Sequence, residues 1–223
     1  VEAQIRERLQ SIQPFVRWVR SFSCTEGHQA TPRVAHDLGL KTMVGIGLSD
    51  ELDKNEVEMA NGIRLAQEGH ADILAVGNEV MLRGDLDEGQ LIAYIERAKA
   101  AVPDGVPVGT VDAYFLFENH RAVADACEVL LVNCYPFWES CPQEYALAYM
   151  QEMVRRAEAV ANGKKVIVAE TGWPTSGSPF GAAVPTVENA LEYFISTYRW
   201  AEADGVEVFY FSSFDEAWKE SAE

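Results

Sequence analysis

The chain has 223 residues, 48 % of them hydrophobic, with 18 basic and 35 acidic side chains and a formal net charge of −17. That length and apolar content suit a single large α/β domain over residues 1–223, with a core that needs neither metal nor disulfide. The acidic balance excludes a nucleic-acid surface or an anionic membrane face, which require basic patches, and leaves a neutral ligand such as a sugar open.

The chain opens on a helical segment, Val1–Ser11. Apolar runs rich in β-branched and aromatic residues follow at Phe15–Phe22, Lys41–Leu48, Ile73–Val80, Val106–Val111, Val129–Tyr135, Val166–Ala169 and Val206–Phe211. They are continuous rather than alternating, as in parallel strands buried on both faces. Helical periodicity fills the stretches between them. Asp85 or Asp87 caps a helix carrying Leu91, Ile92 and Ile95, which Pro103 ends. Met150, Met153, Val154, Ala157 and Val160 form one helical stripe. Val187, Leu191, Phe194, Ile195 and Tyr198 form another, capped by Thr186 and stopped by Gly205. Both stripes are expected to be core contacts.

Repeated βα alternation predicts a parallel sheet with right-handed crossovers, either closed into a barrel or doubly wound. Seven runs behind an opening helix are one short of an eight-stranded barrel, so closure calls for a first strand upstream of Val1 and an N-terminally truncated chain. Gly45-Ile46-Gly47 is a close-packing device, because no G-x-G-x-x-G or Walker sequence follows it. Cys24, Cys127, Cys134 and Cys141 form no C-x-x-C pair and read as core thiols. A loop closed by Cys134 and Cys141 is the alternative. His28, His36, His70 and His120 lack ligand spacing, so no metal and no cofactor are expected.

In a parallel α/β fold, function gathers at the carboxyl ends of the strands. Gly77-Asn78-Glu79 follows one apolar run, and Glu170-Thr171-Gly172-Trp173-Pro174 follows another. One glutamate at such a place is as readily an ion-paired or solvated group. Two at equivalent strand ends favour a catalytic pair. Aromatic residues stand at the same level: Tyr135, Phe137 and Trp138 after one strand, Trp173 after another, Phe214 and Trp218 after the last. Their flat faces suit sugar rings, although any one of them also fits ordinary loop packing. Asp112, Asn133 and Glu216 add polar groups able to hold sugar hydroxyls.

Val76-Gly77-Asn78-Glu79 and Val168-Ala169-Glu170-Thr171-Gly172-Trp173-Pro174 resemble the two signature segments of glycoside hydrolase family 17, the β-1,3-glucanases and related glucanosyltransferases. Further segments resemble the family in order: Val19-Arg20-Ser21-Phe22, Val108-Gly109-Thr110-Val111-Asp112, Asn133-Cys134-Tyr135-Pro136 and Phe214-Asp215-Glu216-Ala217-Trp218-Lys219. The resemblance covers about Arg17 to Lys219, and Glu-Thr-Gly-Trp-Pro after a strand is its most specific part. Ser212-Ser213 and Phe22 depart from the family pattern, where Glu-Ala and Tyr are usual.

The resemblance implies a (β/α)8 TIM-type barrel and a retaining mechanism, with Glu79 as acid/base and Glu170 as nucleophile. Such a mechanism needs the two carboxyl groups ~5–5.5 Å apart. It also implies that Arg20 keeps Glu170 ionised, that Tyr135 hydrogen-bonds it, and that Asn78 holds the sugar 2-hydroxyl. Glu216 and Lys219 would support Glu79 or bind sugar, and Trp138, Trp173 and Trp218 would line the cleft. The implied partner is a β-glucan or its oligosaccharides, with no nucleic acid, and the oligomeric state stays open. That substrate class implies a periplasmic, cell-surface or secreted location. A transglycosylase using the same glutamates is the alternative within the class. A non-catalytic glucan-binding barrel is the alternative outside it, and both intact glutamates argue against that.

Overall fold

The computed structural model describes residues 1–214 of the chain. Its elements run α1 (Glu2–Ile12), β1 (Trp18–Arg20), α2 (Thr31–Asp37), β2 (Lys41–Ile46), α3 (Leu52–Gln67), β3 (Ile73–Asn78) and α4 (Val80–Arg83). Next come α5 (Glu88–Ala101), β4 (Val108–Ala113), α6 (Tyr114–Asn119), α7 (Arg121–Ala126) and β5 (Val129–Asn133). The series closes with α8 (Gln143–Val160), β6 (Lys165–Thr171), α9 (Val187–Asp204) and β7 (Glu207–Tyr210). The seven strands pair in chain order, each parallel to the next. β7 comes round against β1, where Trp18 and Phe209 meet edge to face with ring centroids 6.2 Å apart. The fold is a nearly closed TIM-type α/β barrel, with each predicted apolar run supplying one strand.

The interior is built by alternation. Met43, Ile73, Ala75, Val111, Val129, Leu131, Ile167 and Ala169 form one apolar cluster, joined by Trp18 and Phe209. These are every-other residues of the strands, so they fill the barrel from one side of the sheet. The intervening residues, among them Val44, Leu74, Val76, Leu130, Val132 and Val168, pack outward against the helices. On β1 and β5 the inward series continues into polar residues at the carboxyl end: Trp18 leads to Arg20, and Leu131 to Asn133.

Two irregularities change this alternation at the site. Between β3 and β4 the register passes from Ala75↔Gly109 to Asn78↔Val111, so β3 carries one extra residue there. Gly77, at φ 85, lies inside that insertion, in a conformation that favours glycine. Between β5 and β6 the register passes from Val132↔Val168 to Asn133↔Glu170, again with one extra residue, on β6. A β-bulge moves everything beyond it to the opposite face. Asn78 thereby joins the inward Val111, and Glu170 joins the inward Asn133. Thr171 then turns outward, where its hydroxyl meets Tyr193 of α9 at 2.6 Å.

The helix ends follow the sequence signals. Asp87 caps α5 in a reciprocal pair with Gln90, Thr186 caps α9, and Gly205 ends it at φ 70. All four cysteines are free and buried. At Gly45 a Cβ would fall 2.3 Å from the Ser21 carbonyl oxygen, so only glycine lets the ends of β1 and β2 run this close.

One expectation is overturned. The stripe on α8 is buried as predicted, but Val187, Leu191, Phe194, Ile195 and Tyr198 of α9 are exposed. The face of α9 that meets the barrel is Ala190, Tyr193, Thr197 and Ala201. Small side chains at 190 and 201 let the helix approach closely, and the hydroxyls of Tyr193 and Thr171 satisfy each other there. Tyr193→Ala should therefore cost this chain about 3–5 kcal/mol in chemical denaturation. Leu191→Ser should change it by no more than about 0.5 kcal/mol.

Candidate active site

The site is organised around Arg20, whose side chain is 5 % exposed. Its Nη1 donates to Glu170 Oε1 at 2.7 Å and to the Ala169 carbonyl at 2.9 Å, and its Nη2 donates to Asn78 Oδ1 at 2.7 Å. The guanidinium lies 4.3 Å from the centre of the Phe22 ring, a cation–π contact. Burial pulls the Arg20 pKa below its ordinary value, and the charge of Glu170 opposes that shift. Tyr135 donates its hydroxyl to Glu170 Oε2 at 2.8 Å. Burial first, then Glu170, pushes the Tyr135 pKa well up, which keeps the phenol a donor. Both oxygens of Glu170 thus hold a donor, and one of those donors is a cation.

Glu79 has different company. Its Oε1 accepts from Asn133 Nδ2 at 2.7 Å, a neutral amide where Glu170 holds Arg20. Asn133 is also the register partner of Glu170 on the neighbouring strand. Adjacent strands run about 4.7–4.9 Å apart. Asn133 thus bonds Glu79 through its side chain and stands beside Glu170 in the sheet. Its other amide atom, Oδ1, is buried without a hydrogen-bond partner among the described residues.

The whole chain, residues 1–223, matches the BtgE/BtgC glycoside hydrolase domain. The chain belongs to that family. A glucan 1,3-β-glucosidase of Candida albicans is 30 % identical over an alignment of 201 residues, gaps included, that covers 81 % of this chain and 65 % of that protein. One from Schizosaccharomyces pombe is 27 % identical over 224 residues, covering 92 % and 70 %. The chain spans about two thirds of the length of these relatives. Among solved structures, the glycoside hydrolase family 17 β-1,3-glucanosyltransferase of Rhizomucor miehei superposes with a TM-score of 0.91 at 27 % identity, over 98 % of this chain and 84 % of that one. An active-site mutant of the same enzyme in complex with laminaritriose superposes equally well.

Apart from Asp112, the remaining predicted residues of this BtgE/BtgC-family chain fall into three groups. Trp138 stands at the rim, 47 % exposed, edge to face with Phe180 at 5.5 Å between centroids. Trp173 is buried instead, packed against Phe137 and Tyr193 with its indole N–H on the Val184 carbonyl. It supports the wall of the cleft and presents no open face to a ligand. Glu216, Trp218 and Lys219 lie outside the described residues.

Asp112 differs from its expected place as a sugar ligand. It is buried at the end of β4, and its two oxygens accept from Met81 N–H at 3.1 Å and from Ala113 N–H at 2.8 Å. Burial raises its pKa to about 6; these backbone donors pull it down, and nearby Glu79 pushes it up.

Three residues that the sequence reading passed over also shape the site. Phe180 faces Trp138 across the rim. Glu139 accepts from the hydroxyls of Tyr114 and Tyr149, at 3.2 and 2.6 Å, and so anchors the turn that carries Trp138. Glu58 of α3 is buried and takes the Cys24 and Gly47 N–H groups, at 2.7 and 2.9 Å, together with the Ser23 and Thr25 hydroxyls. Four donors on one carboxylate pin the loop that follows Arg20 and Phe22. The available signal was position: Glu58 shares the buried stripe of Asn55, Met59 and Gly62 on α3.

The buried Asp112 makes a prediction about pH. A carboxyl held at about 6 in the fold, against 3.8 ordinarily, binds its proton more tightly when folded, so its contribution is fully present below pH 3.8 and lost as pH rises through 6. The loss is at most about 3 kcal/mol. Asp112→Asn should remove that decline. Denaturation of both proteins from pH 4 to 7 should show the stability difference shifting steadily in favour of the variant.

Proposed function

We propose that this protein is a retaining glycoside hydrolase of β-1,3-glucan, with Glu170 as nucleophile and Glu79 as general acid/base. The observation that carries the reading is the unequal company of two carboxylates in one cleft. Glu170 holds a buried cation and a phenol, which orient it and balance its negative charge for attack on an anomeric carbon. Glu79 holds a neutral amide and leaves its second oxygen to exchange a proton with the glycosidic oxygen. In the first step Glu170 bonds to the anomeric carbon, that carbon's bond to the leaving oxygen breaks, and Glu79 gives the proton to the departing hydroxyl. In the second, Glu79 takes a proton from water, and the water oxygen displaces Glu170. Trp138 with Phe180 offers aromatic surface at the rim.

The β-1,3 linkage is supported by the names of the relatives, two of them glucan 1,3-β-glucosidases, and by the laminaritriose in the Rhizomucor structure. That structure also favours a second reading, transfer of the glycosyl group to another sugar in place of water. Incubation with laminari-oligosaccharides distinguishes the two, because products longer than the substrate mean transfer. Tighter binding of cello- or manno-oligosaccharides than of laminari-oligosaccharides would remove the β-1,3-glucan assignment.

The roles are separable by substitution. Glu170→Ala should abolish turnover, and added azide should restore some of it with an inverted glycosyl azide as product. Glu79→Ala should lose about 10²–10⁴-fold on oligosaccharides but far less on aryl glucosides whose leaving group needs no acid. The opposite pattern would exchange the two roles.

A further inference from the structure

Glu79 occupies a backbone conformation that side chains rarely adopt, φ 54 and ψ 29, in the left-handed region. A non-glycine residue stays there only when its surroundings enforce it. Glu79 is also the residue that precedes α4, the N-cap position. A polar side chain at that position ordinarily folds back to accept from the N–H groups of the second and third helical residues. Here those groups belong to Met81 and Leu82, and Glu79 bonds neither. Asp112 of the neighbouring strand takes the first at 3.1 Å and stands within reach of the second. On the other side of the turn, the Glu79 N–H donates to the carbonyl of Val111 at 2.8 Å. Two successive residues of β4 therefore grip the turn, one before the helix and one inside it. The Glu79 carboxyl, relieved of capping, reaches across to Asn133.

We propose that Asp112 is a positioning residue for the acid/base: by capping α4 in place of Glu79, it holds the left-handed turn and leaves the Glu79 carboxyl free for proton transfer. This rests on the assignment of Glu79 proposed above. The cap, and not the charge, is the property that matters. Asparagine keeps one oxygen for the α4 amides and gives up only the bond to Ala113. Alanine gives up both.

Two readouts on the chain as it stands decide the matter. The first is amide hydrogen exchange at Met81 and Leu82, followed by NMR. Asp112→Ala should lose protection at these two amides while the strand amides keep theirs, and Asp112→Asn should retain it. The second is kinetic. Asp112→Ala should lower kcat on laminari-oligosaccharides by about tenfold or more with little change in KM, and much less on an aryl β-glucoside with a good leaving group. Asp112→Asn should recover most of the lost rate. Equal losses on both substrates would overturn the proposal, since a merely structural defect does not sense the leaving group. So would an Asn variant as impaired as the Ala variant, which would make the charge the active property. Unchanged exchange at Met81 and Leu82 in Asp112→Ala would overturn it as well. If Asp112→Ala does not fold, Asp112→Ser, too short to reach both amides, serves in its place with the same expectations. A wild-type protein that turns over neither substrate would overturn the glycosidase reading instead, and amide exchange would still decide whether Asp112 holds the turn.

Discussion

The buried guanidinium of Arg20 is the constraint on which the rest of this structure depends. Arg20 lies on the first strand of the sheet, Asn78 on the third and Glu170 on the sixth, yet one side chain bonds both. A flat sheet would hold those strands too far apart for any side chain to bridge. Only a sheet curled almost to closure brings them to one point. An unpaired charge buried at this depth would cost several kcal/mol, so closure and pairing stand or fall together. Phe22 adds its aromatic face against the cation.

Much of this was legible in the sequence. Strand positions followed from continuous apolar runs, and catalytic candidates followed from carboxylates at their carboxyl ends. What strict alternation gets wrong is direction. With period two, Glu170 would share the outward face of Val168, toward the helices. The extra residue that β6 carries beside Val132 turns it inward instead. A bulge of this kind needs no glycine or proline, and Ile-Val-Ala-Glu-Thr carries no mark of it. The β3 bulge does carry one, because Gly77 sits at positive φ beside Asn78.

The misread elements share a cause. Hydrophobicity marks residues that would gain from burial, but fit decides which are buried. On α9 the large apolar stripe lost to a face of alanines, one tyrosine and a threonine that lets the helix lie closer to the barrel. Trp173 went the same way: its indole N–H found the Val184 carbonyl, which made a fully packed position affordable for so large a ring. Asp112 was read as a ligand because it ends a strand. Its true partners are backbone N–H groups of a four-residue helix two loops away in sequence, a relation that no local pattern encodes.

Among the described residues, Glu58, Asp112, Glu170 and Glu79 end up in different chemical situations near this cleft, and their donors set them apart. Glu58 is saturated by two amides and two hydroxyls, so it is structural. Asp112 is buried and held by backbone N–H groups, away from any ligand in the cleft. Glu170 is held by a cation and a phenol, which fix its orientation without supplying a readily transferred proton. Among the described residues Glu79 has one donor, a neutral amide on one oxygen. It is the one carboxyl of the four with an oxygen uncommitted to these contacts, the freedom that the proton exchange proposed for it requires. The different situations of these groups are therefore set by what surrounds each carboxylate, since the carboxylates themselves are chemically alike.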